Sequence, residues 1–132
     1  MSAFAAVFAL LYVAHLVADY PLQTDWQAGH KADRSVEGWR ANLSHAFDHL
    51  MMSTAALAVL EVVLGYSVPM VQGCAGLAWI AISHAVIDRR RGVLVWMRLA
   101  RQSKFQEHGG AAHVDQTAHL VCLVVAALVM SS

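Results

Sequence analysis

Pairs of potential metal ligands recur along the chain at a spacing of four residues. Each pair joins a histidine to a second histidine or an aspartate, at one end of an apolar stretch. The eight residues are His15 and Asp19, His45 and His49, His84 and Asp88, and Asp115 and His119. Residues four apart on a helix lie on the same face. Four apolar helices would therefore each present two ligands.

The ligand types indicate which metal and which chemistry to expect. Imidazole and carboxylate without thiolate suit zinc first, with manganese, iron, cobalt and nickel as alternatives. Eight candidates exceed one tetrahedral site, so the pattern predicts one or two ions, with any remaining residues supporting the ligands. Asp48, three residues after His45, is predicted to orient a ligand or act as a general base. A two-metal centre activates water and binds a phosphoryl or acyl oxygen, which favours hydrolysis.

A purely structural explanation competes with the metal site. A carboxylate in an apolar helix needs a partner, and each aspartate of the pairs stands four residues from a histidine, so three hydrogen-bonded His–Asp pairs would satisfy them. A divalent cation compensates several carboxylates at once, which favours the metal site. The sequence contains no nucleophile elbow, phosphate-binding glycine loop or dinucleotide fingerprint.

The composition is typical of an integral membrane protein with one domain. Of 132 residues, 58% are hydrophobic and 14% are charged, whereas soluble domains have about 25% charged residues. Both cysteines, Cys74 and Cys122, lie in apolar runs and are predicted to be free thiols.

The order of apolar and polar segments predicts an all-α fold, an integral-membrane four-helix bundle forming one transmembrane domain over residues 1–132. The predicted helices cover about residues 3–20, 43–65, 69–89 and 113–130, with an amphipathic interfacial helix over about 93–106 between the third and fourth. No basic residue precedes the first apolar run, so it is predicted to be a retained helix and not a signal peptide. Asn42 or Ser44 is predicted to cap the second helix.

The basic residues predict the orientation in the membrane. All nine fall in the loops after the first and third predicted helices, at positions 31, 34, 40, 89, 90, 91, 98, 101 and 104. The positive-inside rule makes that face cytoplasmic, which places both termini outside an inner membrane crossed several times. All four ligand pairs then lie at the cytoplasmic end. An arginine run such as residues 89–91 is more often only a topology signal, but Arg89 and Arg90 are also candidates for binding a lipid phosphate near the metal. Residues 98–104 are expected to meet anionic lipid and not nucleic acid.

The motifs resemble those of a known family. The stretch His15-Leu-Val-Ala-Asp19-Tyr-Pro-Leu-Gln23, followed by His-x3-His, His-x3-Asp and Asp115-Gln116-x-x-His119, is similar to a family of small bacterial and phage integral-membrane proteins known as a domain of unknown function. The resemblance implies a multi-span helical membrane protein and adds Gln23 and Gln116 as site residues. A more distant similarity to inner-membrane metal-dependent hydrolases implies metal chemistry without naming a substrate.

The predicted function is that of a membrane-embedded metal-dependent hydrolase acting on a phosphoester or lipid-linked substrate. The alternatives are a divalent-metal or proton transporter, a haem-binding bundle, and a non-enzymatic membrane protein with a structural metal. A soluble metal-binding bundle is a further alternative, because the first and last apolar runs are short for membrane spans. The expected partners are the lipid bilayer and a lipid or phosphoester substrate, with a homo-oligomer as a further option.

Overall fold

The computed structural model describes residues 3–132, and within that range the chain forms helices and no strand. The helices are α1 (Ala3–Asp19), α2 (Asp25–His30), α3 (Val36–Leu64), α4 (Met70–Ile87), α5 (Arg91–Leu99), α6 (Ser103–Glu107) and α7 (Gly110–Met130). The all-α class predicted from the sequence is confirmed.

The four longest helices enclose a shared interior. Helix α1 packs against α3 and α7, and α4 packs against the same two helices. The short helices cover one end of this arrangement: α2 lies against α3, and α5 and α6 lie against α7. At that end α1 and α4 finish, while α3 and α7 begin.

Three of these helices are long and apolar enough to cross a membrane. They are α3 with 29 residues, α4 with 18 and α7 with 21, whereas α1 is also apolar but has 17 residues, short of the roughly 20 residues of an average span. The outward surfaces are apolar as well, since Val62, Met70 and Val71 are 84%, 83% and 78% exposed. Large exposed apolar surfaces of this kind mark contact with lipid or protein. These helices indicate a membrane protein.

The interior has an apolar layer at one end and a polar layer at the other. The apolar layer consists of Ala6, Val7, Leu11, Leu60, Ile80, Leu123, Ala126, Ala127 and Met130. The polar layer, towards the end covered by α2 and α5, contains the buried histidines together with Asp19, Asn42 and Asp88. Buried polar groups are costly without partners, so this polar layer requires a specific explanation.

Helix α3 begins seven residues earlier than the predicted start at residue 43. Ser35 is extended and its side chain accepts a hydrogen bond from the Gly38 amide at 3.0 Å, which makes it the N-cap. Asn42, predicted as a cap, instead lies inside the helix and donates from its side chain to the Ala85 carbonyl at 3.2 Å. Neither Asn42 nor Ser44 caps the helix, because a satisfactory cap already lies upstream.

Helix α2 falls in a segment that the sequence analysis treated as a loop. Thr24 and Gln27 form a reciprocal capping box at its start, which is the Ser/Thr-x-x-Glu/Gln signature of a helix N-terminus. The signal was therefore present in the sequence. A helix of six residues is too short to show amphipathic periodicity, so only its cap could have indicated it.

The predicted interfacial helix over residues 93–106 is interrupted. Its place is taken by α5 and α6, which are separated at Arg101, where φ is +55°. Non-glycine residues seldom adopt this left-handed conformation, and a helix cannot continue through it. Hydrophobic periodicity does not register so short a break.

The turn before α3 makes Gly38 sensitive to substitution. A Cβ there would collide with the backbone of Asp33, whereas a Cβ at Gly29 in α2 meets no atom within 4 Å. We expect Gly38→Ala to destabilise the protein by about 1–3 kcal/mol through overpacking. Gly29→Ala should be neutral or stabilising by up to about 1 kcal/mol, because alanine favours helix. Thermal unfolding in detergent measures both, and equal shifts in the two variants would contradict the packing argument.

Candidate metal centre

Five imidazoles and two carboxylates converge in the polar layer, and we call this group the His/Asp cluster. Its members are His15, Asp19, His45, His49, His84, Asp88 and His119, and all are buried. The pairs at the ends of α1 and α4 meet the histidines that lie about three turns inside α3 and α7. The spacing of four residues keeps both members of each pair on the helix face that points inward.

One half of the cluster is built by α1 and α3. Asp19 Oδ1 lies 3.2 Å from His45 Nε2 and 3.0 Å from His49 Nε2. These three residues and His84 can offer ligand atoms that all lie within 4.8 Å of one another.

The other half is built by α4 and α7. His84 Nε2 lies 3.2 Å from Asp88 Oδ2, and His119 Nε2 lies 3.9 Å from Asp88 Oδ1. His84 Nε2 is also 3.8 Å from Asp19 Oδ1, so it stands between the two carboxylates. His84, Asp88 and His119 form a second group whose ligand atoms could hold an ion.

Three buried atoms of this second half lack a hydrogen bond. Within residues 3–132, His84 Nε2, Asp88 Oδ2 and His119 Nε2 are buried and make no hydrogen bond of suitable geometry. His119 Nδ1 lies 3.0 Å from the Asp115 carbonyl, a contact that requires the ring proton on Nδ1 when the ring is neutral. The Nε2 lone pair then faces the Asp88 carboxylate, acceptor towards acceptor. A cation between them would turn this unfavourable contact into a favourable one.

The spacing within the cluster is compatible with a bound metal ion. Ligand atoms about 2.0–2.1 Å from a tetrahedral ion lie about 3.3 Å from each other. The separations of 3.0 and 3.2 Å around Asp19, and of 3.2 Å between His84 and Asp88, are close to that value. The described residues thus include buried His/Asp groups positioned to hold a metal ion.

Two glutamines and the remaining histidine surround the Asp19 half. Gln116 donates from Nε2 to Asp19 Oδ2 at 2.7 Å, and His15 Nε2 donates to Gln116 Oε1 at 3.1 Å. The amide nitrogen of Gln23 lies 2.8 Å from His45 Nε2. Gln23 and Gln116, which the family resemblance added, therefore contact cluster residues directly. His15 lies beside the two ligand groups and orients Asp19, with its Nε2 3.3 Å from Asp19 Oδ2.

Lys31 is a site residue that the sequence reasoning counted only as a topology signal. Its Nζ lies 3.1 Å from Asp88 Oδ2, and its side chain is 12% exposed. Its ammonium group therefore compensates part of the charge of the buried Asp88 carboxylate. Nothing in the local pattern around Lys31 indicates this contact, which joins residues far apart in the chain.

Asp115, predicted as a ligand, lies outside the ligand groups. Its Oδ2 is 3.4 Å from His119 Nδ1, on the opposite side of the ring from Asp88. A carboxylate in that position orients the imidazole and raises its basicity, as partners of metal-binding histidines commonly do. The spacing of four residues brings Asp115 to His119 but does not decide which ring nitrogen it meets.

Asp48, predicted as a general base, faces away from the cluster. Its Oδ2 accepts a hydrogen bond from Gln27 Nε2 at 2.6 Å, and Gln27 also donates to Ser44 Oγ at 3.1 Å. Successive residues of a helix rotate by about 100°, so Asp48 points towards α2 when His45 and His49 point inward. Its role in the structure is to hold α2 on α3.

We therefore expect Asp48→Ala to affect stability and not metal binding. The substitution removes an acceptor from the buried Gln27 amide, which should cost about 1–2 kcal/mol. Thermal unfolding in detergent measures the loss, and elemental analysis measures the metal. If the Asp48→Ala protein folded but had lost its metal, Asp48 would act at the metal centre, as the sequence analysis predicts.

Arg89, predicted to bind a substrate phosphate, is occupied by contacts within the protein. Its guanidinium donates to the Lys31 carbonyl at 3.0 Å and to the Asp33 carbonyl, and it stacks 4.5 Å from the ring centroid of Trp39. Arg89 thus stabilises the position of the loop that carries Lys31. Arg90, by contrast, is exposed and lines a cleft next to the cluster.

This cleft, of about 560 Å³, leads from the surface to the cluster. Its polar wall contains Asp19, Asp88, Asp115, Gln23, Gln116, Lys31 and Arg90, and its apolar wall contains Tyr20, Val93 and Leu94. Both carboxylates of the ligand groups line it, together with two cationic side chains. An anionic group in the cleft would meet positive charge on its way to the carboxylates and histidines.

Comparison with known proteins identifies the family and nothing finer. No curated protein and no solved structure matches the chain. A family model described as "Protein of unknown function (DUF3307)" matches residues 7–132, which include every member of the His/Asp cluster. The chain therefore belongs to the DUF3307 family, whose function is unknown.

Proposed function

We propose that this protein is a membrane-embedded metal-dependent hydrolase that cleaves a phosphoester in a lipid or membrane-proximal substrate. The observation that carries the proposal is the buried His/Asp cluster beside a cleft containing cationic residues, with the Nε2 atom of His119 facing the Asp88 carboxylate without a hydrogen bond to any described residue. Hydrogen bonds alone can satisfy Asp19 with His45 and His49. In the other half Asp88 is paired with Lys31, but the Nε2 atoms of His84 and His119 make no hydrogen bond within residues 3–132, so a purely structural role explains only one half of the cluster.

The ligand groups favour two ions. Asp19 with His45 and His49 makes one set of two histidines and a carboxylate, and Asp88 with His84 and His119 makes the other. Three protein ligands leave positions open on an ion, as catalytic sites require, whereas structural sites are closed by four. Zinc is the first choice, and manganese, iron, cobalt and nickel accept the same donors.

The residues around the ions have separable roles in this scheme. A pair of divalent ions would supply an activated water and bind phosphoryl oxygens. Gln116 holds Asp19 in position, Asp115 holds His119, and Gln23 lines the cleft next to His45. Lys31 and Arg90 attract and orient an anionic phosphate in the cleft, as cationic side chains commonly do.

In the membrane we place the cluster at the cytoplasmic leaflet of the inner membrane. Helix α1 forms a fourth, shorter span of a four-helix bundle, and both termini lie outside. The basic residues support this orientation, because eight of the nine lie between α1 and α3 or between α4 and α7, and Arg40 lies near the start of α3. Helix α3 is about 43 Å long, so its polar first turns extend beyond a hydrocarbon layer of about 30 Å.

The apolar layer argues against the transport alternative. A transported ion or proton would have to pass the side chains around Leu11, Leu60 and Met130, all fully buried, and polar groups normally mark such a path. Haem ligation is disfavoured because axial ligation needs no carboxylates. A structural metal would account for the ligands but leave the cleft and its cationic residues without a role.

Phosphate release by detergent-purified protein tests the function. The protein is stripped with chelator, reloaded with one metal at a time, and given phosphatidic acid or the soluble substrate para-nitrophenyl phosphate. We expect release only from the metal-loaded protein. A protein that binds metal but releases phosphate from neither substrate would contradict the hydrolase proposal and leave the metal site standing.

A further inference from the structure

An apolar groove of about 820 Å³ lies beside the cleft, between the end of α4, the helices α5 and α6, and the first half of α7. Apolar side chains dominate its lining, among them Val93, Trp96, Phe105, Val114 and Val121. Helix α5 contributes Trp96, which is 60% exposed. The groove is open and apolar, at the level where α5 and α6 would lie on the membrane surface.

The groove and the cleft share a wall. Val93 lines both, with its side chain buried between them. On the cleft side of Val93 lie Lys31, Arg90 and Asp88, and on the groove side lie mostly apolar groups, with His113 and Thr117 among them. A molecule that extends across the Val93 side chain, from the cleft into the groove, would therefore place an anionic end by the cluster and a hydrocarbon part in the groove.

The direction of the groove matches the direction of a lipid in its leaflet. Along α7 the groove extends from His113 to Cys122, about 13 Å at 1.5 Å per residue. The cleft lies at the His113 end, near the start of α7, and Cys122 lies towards the middle of the predicted span. A headgroup at the surface and a chain running inward would follow this path.

We propose that the groove and cleft together bind an anionic membrane lipid that carries a phosphate monoester, with its phosphate near Lys31 and Arg90 and one hydrocarbon chain in the groove. The inference rests on the proposed function and specifies its substrate class. Three observations select this occupant: the positive charge of Lys31 and Arg90 in the cleft, the apolar groove on the other side of the Val93 side chain, and the exposed apolar residues of α5.

Tryptophan fluorescence tests binding independently of hydrolysis. Metal-free protein in detergent micelles is titrated with phosphatidic acid bearing dibromo-acyl chains, which quench a tryptophan they contact, and separately with the dibromo phosphatidylcholine. We expect more quenching by the phosphatidic acid at equal mole fraction. The excess should be lost in Trp96→Phe and retained in Trp79→Phe, because Trp79 lies outside the groove on the exposed surface of α4.

A matched pair of arginine variants tests the phosphate end. Arg90→Gln should lose the preference for phosphatidic acid, whereas Arg98→Gln, on the exposed side of α5 and away from the cleft, should keep it. Equal quenching by both lipids in the wild type would overturn the inference. So would a preference that both arginine variants lose equally, since it would then reflect surface charge alone.

The two proposals fail in different ways. Metal-dependent hydrolysis of para-nitrophenyl phosphate, together with equal quenching by both lipids, would leave the hydrolase standing and remove the lipid site. A preference for phosphatidic acid that depends on Trp96 and Arg90, without hydrolysis of any substrate, would establish the lipid site and remove the hydrolase.

Discussion

A protein carrying both His45→Ala and His49→Ala is expected to bind one transition-metal ion fewer than the wild type and to release phosphate only at background rate. The two imidazoles are the nitrogen ligands of the Asp19 half, with Nε2 atoms 3.2 and 3.0 Å from its carboxylate. Alanine removes both donors, and Asp19 alone cannot hold a divalent ion against water. The remaining ion cannot by itself bind both the attacking and the leaving oxygen of the phosphoester.

Elemental analysis of detergent-purified wild type and variant measures the metal, and phosphatidic acid hydrolysis measures the activity. The control is His30→Ala with His108→Ala, two histidines outside the cluster whose rings bond to the backbone carbonyls of Trp26 and Lys104. Circular dichroism shows whether each variant keeps its helices. Unchanged metal content in a folded His45→Ala/His49→Ala protein would refute the assignment of this half.

The second prediction separates the two halves of the cluster. Asp19→Asn and Asp88→Asn should each reduce the metal content by one ion per chain, and the double variant should bind none. Asparagine keeps the shape of aspartate but removes the charge, so the change acts on the ion more than on packing. Each carboxylate has its own histidines, His45 and His49 for Asp19, and His84 and His119 for Asp88.

Metal stoichiometry checks this prediction, with Glu61→Gln as the matched control. Glu61 is an exposed carboxylate in the last turn of α3, where it accepts a hydrogen bond from Ser67, so its variant should keep both ions. If either single variant lost all metal, the two groups would hold one shared ion. His84, which stands between the carboxylates, would then be its central ligand.

In a two-ion centre, each pair of long helices would supply the ligands of one ion. The first pair of long helices, α1 and α3, builds one set of ligands, and the second pair, α4 and α7, builds the other. In each set, the aspartate lies at the end of the first helix of the pair, and a histidine lies further inside the second helix. Packing of α1 on α7 and of α3 on α4 then brings the two sets together.

Local sequence patterns predict the helical class, the apolar segments and the residues that could bind metal. These features depend on local geometry, because a spacing of four residues places His15 with Asp19, or His84 with Asp88, on one helix face in any fold. The clustering of the basic residues in two loops likewise required no tertiary information. The family resemblance supplied Gln23 and Gln116, which no periodicity distinguishes from other polar residues.

Helix packing divides these side chains into candidate ligands and residues that support them. The rotation and depth of α7 place His119 Nε2 towards Asp88 and leave Asp115 on the opposite ring nitrogen. The docking of α2 turns Asp48 to Gln27, and the loop after α2 brings Lys31 to Asp88 across 57 residues of sequence. Such contacts depend on the packing of helices and the path of loops, which are set by many weak interactions between distant residues. Local spacing therefore predicts which residues can act at the site, and long-range packing selects those that do.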